Sequence, residues 1–95
     1  MAITKEDVHN IVVQTLQEMI GDKTIKIAAG AMPIGAYGLD SQDGIEFAIY
    51  VSERLNCDVP VELNPFVDDN GETVKQRTVG EIVDLLVSLA LEAKG

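Results

Sequence analysis

Cysteine occurs once, at Cys57, so the chain has no means of stapling itself with an internal disulfide. Histidine also occurs once, at His9, and tryptophan is absent. Tyr37, Tyr50, Phe47 and Phe66 are all the aromatic residues there are. A core so short of rings has to be filled by Leu, Ile, Val and Ala, which suits packed helices. Basic residues are scarce as well: seven Lys and Arg stand against sixteen Asp and Glu, a formal charge of −9. Such a field repels phosphate backbones, so nucleic-acid binding is not expected. No apolar run approaches the roughly 20 residues that a membrane-spanning helix needs, and no cationic, apolar leader opens the chain. These absences lead to the expectation of a soluble cytoplasmic protein, monomeric and without membrane insertion.

What is present is a chain of 95 residues, 46% hydrophobic, the size of one domain with a single core. Residues 1–95 are therefore read as one domain, with no internal repeat or boundary. The charge is unevenly placed. Residues 1–39 carry four acids and three lysines, a net −1, whereas residues 40–95 carry twelve acids and four bases, a net −8. The acidic surface begins at Asp40. A surface of that sign attracts basic protein patches and speeds encounter with them.

Three amphipathic helices are expected. The first opens at Thr4, a good N-cap with Asp7 three residues on. Val8, Ile11, Val12, Leu16, Met19 and Ile20 then recur at helical spacing before Gly21 stops it. The second runs from about Ser41 to Leu55, with Ile45, Ala48, Val51, Ser52 and Leu55 predicted on one buried stripe, and ends near Asn56 and Pro60. The third starts in a capping box, Thr78-Val79-Gly80-Glu81, and carries Val79, Ile82, Val83, Leu86, Leu89 and Ala90 on one face. The connection 21–39 holds five glycines and prolines but also Ile25, Ile27, Met32, Ile34 and Leu39, so it is expected to lie across the bundle. The connection 56–77 contains Pro60, Pro65 and the turn signal Asp68-Asp69-Asn70-Gly71. The fold class expected is all-α: an up-and-down bundle of three main helices, with a short helix or an extended loop at 61–77.

The strongest local signal is Gly38-Leu39-Asp40-Ser41 just ahead of the second helix. Asp and Ser before an apolar periodic run are ordinary capping residues, and that reading needs no function. The same geometry also offers a reactive position. A serine in the first turn of a helix presents its hydroxyl outward, and a phosphodiester attached there sits near free backbone N–H groups and the positive end of the helix dipole. Ser41 has no partner to make it a nucleophile, because the one histidine falls among polar positions of the first helix, and the surrounding string is not a G-x-S-x-G elbow. Ser41 is thus read as a site of modification and not as a catalyst.

Gly38 to Leu55, G-L-D-S-Q-D-G-I-E-F-A-I-Y-V-S-E-R-L, resembles the start of the second helix of acyl carrier proteins. There a Gly-x-Asp-Ser stretch precedes an acidic amphipathic helix, and the serine carries 4′-phosphopantetheine. The likeness extends more weakly to the first helix, to Asp58-Val59-Pro60 and to Thr78-Val79-Gly80-Glu81-Ile82, about two thirds of the chain. It implies that Ser41 is the attachment point, and that Asp40 helps to position metal and phosphate during the transferase reaction. It further implies that Gln42, Asp43, Glu46, Ile49 and Glu53 form the surface that partner enzymes meet. Asp43 and Glu46 have a simpler explanation too, since acids in the first turns complement a helix dipole, and Ile49 is equally readable as one edge of the core stripe. The partners implied are a phosphopantetheinyl transferase and acyl-transfer, condensing and modifying enzymes with basic docking patches, as in fatty-acid or polyketide synthesis.

Three features depart from the family pattern: Gln42 in place of Leu or Met, the glycine-broken apolar loop before the site, and the long 61–77 segment. They point to a specialised, discrete carrier. An aminoacyl or peptidyl carrier shares the fold and arm, and no residue here excludes it; an acidic helical adaptor without a prosthetic group is the rival from another class. No enzymatic activity and no metal site are expected. Asp68-Asp69-Asn70-Gly71 fails as a calcium loop, because with Gly71 at position six the end positions fall on Phe66 and Arg77. Cys57 is given a small apolar packing role.

Overall fold

The computed structural model describes residues 4–60, 63–69 and 71–94. Helix α1 (Lys5–Ile20) begins where the sequence places it. The Thr4 hydroxyl accepts from the Asp7 amide at 3.1 Å, and the Thr4 amide donates to the Asp7 carboxylate at 3.1 Å. Gly21 ends it at φ +85°, a left-handed conformation that frees its amide to donate to the Gln17 carbonyl. Val8, Val12 and Leu16 are fully buried. So is Thr15, whose hydroxyl donates to the Ile11 carbonyl at 2.7 Å and accepts from Arg54 at 2.8 Å. A buried hydroxyl costs stability unless it is bonded, and this one is bonded twice.

After α1 the chain crosses the bundle as expected. Ile27, Ile34, Tyr37 and Leu39 pack against the core, and a short, distorted turn of helix, α2 (Pro33–Ala36), interrupts the crossing. The Gln17 side chain donates to the Ile25 carbonyl at 3.0 Å, and the Ala28 amide donates to the Tyr37 hydroxyl at 3.0 Å. The carbonyls of Ala29 and Ala31 accept from the Gly80 and Val79 amides, both at 2.9 Å, so this crossing segment satisfies the first turn of the last helix.

Helix α3 (Ser41–Leu55) buries Gly44, Phe47, Ala48, Val51 and Leu55 and ends at Asn56 in the left-handed region. One residue of the predicted stripe is misplaced. Ile45 is 42% exposed, and Phe47, fully buried, is the large side chain that faces the core. Positions 44, 47, 48, 51 and 55 share one helical face, whereas 45 lies on the row of Ser41 and Ile49, four residues apart on the outer side. Helix α4 (Val79–Lys94) buries Val79, Ile82, Val83, Leu86 and Ala90, with Leu89 at the margin. Helix α1 packs against both α3 and α4. The Cα radius of gyration, 12.5 Å, is that of one close-packed domain of this length.

The all-α expectation needs correction at residues 61–77. In place of a short helix or an extended loop, β1 (Val67–Asp69) and β2 (Val74–Gln76) pair antiparallel, with Val67 opposite Gln76, Asp68 opposite Lys75 and Asp69 opposite Val74. Among the described residues the domain is mostly helical with one strand hairpin. The reason is local: β-branched Val67, Thr73 and Val74 flank the turn, where Gly71 adopts φ +91° and donates to the Asp69 carboxylate at 2.9 Å. Asn70, part of the predicted turn signal, lies outside the described residues.

The capping box that opens α4 has a consequence for acid stability. The Thr78 amide, above all, and the Thr78 hydroxyl hold the Glu81 carboxyl below its ordinary range. Asp22 is held low in the same way by the Thr24 hydroxyl and amide. A carboxyl whose folded value is depressed contributes stability above its unfolded value of about 4. That contribution is lost as pH falls through the folded value. The melting temperature is therefore expected to drop below about pH 5. Glu81→Gln with Asp22→Asn should flatten the acid limb of a melting-temperature profile, because the amides accept the same bonds without titrating.

Candidate functional site

The turn before α3 is built from four residues with separate tasks. Gly38 takes φ +72°, which turns the chain toward the helix, and Leu39 drops into the core at 9% exposure. Asp40 is the N-cap. Its carboxylate accepts from the Asp43 amide at 3.0 Å, and its own amide donates to the Asp43 carboxylate at 2.9 Å. Ser41 is then the first helical residue and is exposed. Leu39 anchors the turn from inside while the reciprocal cap holds it from outside, so the residue between them and solvent has a fixed backbone and a free side chain. His9, the one histidine, is exposed on α1.

The segment that leads into the hairpin reaches back to this turn. The Asn64 side-chain amide donates to the Ser41 carbonyl at 2.6 Å, and its side-chain oxygen accepts from the Phe66 amide at 3.0 Å. The helix makes room for it at Gly44, where an added Cβ would overlap the Asn64 side chain. Phe66 packs on Phe47, ring centroids 5.2 Å apart and planes tilted by 42°. Arg77 closes the base of the hairpin: its guanidinium donates to the Val67 and Asn64 carbonyls at 2.6 and 3.2 Å, and its amide donates to the Phe66 carbonyl at 2.8 Å. With 14% of its side chain exposed, it stands 3.6 Å from the Asp68 carboxylate.

Of the residues read from sequence as a partner surface, Gln42, Glu46, Ile49 and Glu53 are exposed on α3, and Ile49 reaches 50%. Asp43 is half-buried, and its carboxylate is committed to the capping box. Ile45 and Tyr50, each 42% exposed, add apolar surface that sequence reasoning did not place there. Asp43, Glu46 and Tyr50 also line an open cleft of ≈ 440 Å³ together with Glu18, Met19 and Arg54. Arg54 bridges the helices across it, pairing with Glu18 while it donates to Thr15. Four of the six residues that line the cleft are charged.

Asn64, Gly44 and Arg77 were missed in the sequence. Asn64 lies 23 residues from its partner Ser41, beyond any local pattern. Gly44 did carry a signal, since a glycine inside a helix costs about 1 kcal/mol and implies a close approach. Phe66 is a fully buried core residue. Cys57 is half-buried, and burial first, then the neighbouring Asp58, pushes its thiol up, away from nucleophilic use. Among the described residues no three His, Cys, Asp or Glu side chains gather as a metal site, and no helix is long and apolar enough to cross a membrane. No protein-family model, curated protein or solved structure matches the chain.

Proposed function

We propose that this chain is an acyl carrier that holds its cargo as a thioester on a 4′-phosphopantetheine arm attached to Ser41. The observation that carries the reading is the position of Ser41: exposed, first in α3, behind the reciprocal Asp40–Asp43 cap, on the same helical row as the outward-facing Ile45 and Ile49. The group fits the residues present. The hydroxyl is open to a second protein, and the Ser41 and Gln42 amides belong to the first turn, where no carbonyl one turn back accepts them, so a phosphodiester on the hydroxyl has donors at hand. The arm supplies the thiol. The chain supplies attachment, orientation and docking, and performs no catalysis of its own. Tethering keeps the cargo at high effective concentration near whichever enzyme has docked.

Helices α1, α3 and α4 correspond on this reading to the main helices of a carrier bundle, with the hairpin standing where a short third helix is usual. Together with Gln42 and the apolar crossing segment, the hairpin supports a specialised carrier over one for bulk lipid synthesis. Incubation with coenzyme A and a broad-specificity phosphopantetheinyl transferase, followed by intact mass, tests the reading. One added phosphopantetheine is expected, and an unchanged mass would leave the acidic adaptor as the better description.

Docking gives a second measurement. Glu46 and Glu53 are exposed on α3 beside Ile49, so partners with basic patches should be drawn to this face. Glu46→Lys with Glu53→Lys is expected to slow acyl transfer to a cognate enzyme by about tenfold at low salt, through the association rate. The deficit should shrink as salt is raised. Asp43 is a poor choice for this test, because its loss breaks the cap at a cost of about 1 kcal/mol. Equal transfer rates for the double variant and the parent at low salt would refute electrostatic docking on α3.

A further inference from the structure

We infer that Asn64 is a positioning residue for Ser41, and that the hairpin and α3 form one unit built to hold the reactive turn. The inference rests on the carrier reading above. Asn64 spends both ends of its side chain: the amide donates to the Ser41 carbonyl at 2.6 Å, and the oxygen accepts from the Phe66 amide at 3.0 Å. The first bond fixes the backbone of the very residue whose hydroxyl is modified. A carbonyl has two lone pairs, so this bond adds to the one that the helix ladder asks of Ser41 instead of replacing it. The second bond ties Asn64 to Phe66, which is immobilised in the core against Phe47.

Two further residues are spent on this arrangement. Gly44 gives up helix propensity where any side chain would overlap the Asn64 side chain, its oxygen most closely. Arg77 places a largely buried guanidinium against the Asn64 and Val67 carbonyls, holding the strand end that presents Asn64. A first helical turn left to itself frays, because its amides have no partners within the helix. The clasp from the hairpin opposes fraying at the one turn where a transferase must find a hydroxyl in a set direction. Positioning of this kind acts on the rate of the docked complex, because it reduces the conformations that the reacting oxygen samples. The docking surface, on the far side of α3 from Gly44, is untouched by it.

The test compares the full 95-residue chain with its Asn64→Asp and Gly44→Ala variants. Asn64→Asp keeps an acceptor for Phe66 but replaces the donor to Ser41 with a carboxylate oxygen, which repels the carbonyl it faces. Gly44→Ala retains Asn64 but displaces its side chain, the oxygen first, and so disturbs its bonds to both Phe66 and Ser41, while improving helix propensity. Modification by coenzyme A and a broad-specificity phosphopantetheinyl transferase is followed by intact mass at several carrier concentrations, and amide exchange of the unmodified proteins is recorded alongside. Both variants should lose kcat by about tenfold, the factor that one hydrogen bond of ordinary net worth supplies, with KM unchanged. The Ile45 amide, whose helical acceptor is the Ser41 carbonyl, should exchange faster in both. If Gly44→Ala does not fold, Asn64→Asp decides alone. Parent-like kcat in Asn64→Asp, with the parent itself modified, overturns the positioning role and leaves the carrier reading standing. A parent that is never modified overturns both, and unchanged exchange at Ile45 shows that Asn64 does not hold the turn.

Discussion

Ser41→Ala is expected to abolish phosphopantetheine addition altogether, with no residual mass gain at long incubation. The effect is total because no other serine offers the same setting. The Ser52 hydroxyl donates to the Ala48 carbonyl at 2.8 Å and accepts from the Val59 amide at 3.1 Å, so it is spent on tying the chain that leaves α3. Ser88 is exposed, but it lies inside α4, where the surrounding amides belong to the helix ladder and no turn presents it. The fold should not notice the change. Ser41 is exposed at the first helical position, the cap is made by Asp40 and Asp43, and the bond from Asn64 goes to the backbone carbonyl, which alanine keeps. Surface substitutions outside such features stay within about 0.5 kcal/mol. Far-ultraviolet circular dichroism and the denaturation midpoint should therefore match the parent while the mass gain disappears. A Ser41→Ala protein that is still modified would place the attachment site elsewhere.

Phe66→Ala should cost the fold about 3–5 kcal/mol. Phe66 is fully buried, and its ring meets Phe47 in a tilted pair of the kind that adds stability beyond buried area alone. A domain of this size has only about 5–15 kcal/mol in total. Loss of the ring also removes the packing contact with Phe47 that anchors the segment leading into the hairpin, although alanine keeps the backbone bonds to Asn64 and Arg77. Urea denaturation should show a midpoint far below that of the parent. Val74→Ala on the exposed strand, 63% accessible, should stay within about 0.5 kcal/mol. A Phe66→Ala cost below about 1 kcal/mol would mean that the hairpin is not packed on α3 as described.

The ends of the helices were legible because their chemistry is local. Thr4 with Asp7, Thr78 with Glu81, and the stops at Gly21 and Asn56 involve residues within four positions of one another, where backbone geometry leaves few alternatives. The buried face of α4 was legible for a related reason: it has a single apolar stripe. Helix α3 was harder. It is apolar on two sides, so the core face could be read through Ile45 as easily as through Phe47, and only packing against α1 settles which side is inside.

The hairpin left a readable trace in Val67, Thr73, Val74 and the Asp-Asp-Asn-Gly turn, but propensity for strands depends on neighbours that a short segment does not contain. The start of a helix at position 41 was legible in the local sequence: a glycine, an apolar residue, an acidic cap and then a serine ahead of an amphipathic run. The clasp from Asn64, the vacancy at Gly44 and the buried Arg77 belong wholly to the tertiary fold. They join residues 13 to 23 positions apart, and contacts at that separation exist only once the entropy of closing the intervening loop has been offset by a packed core.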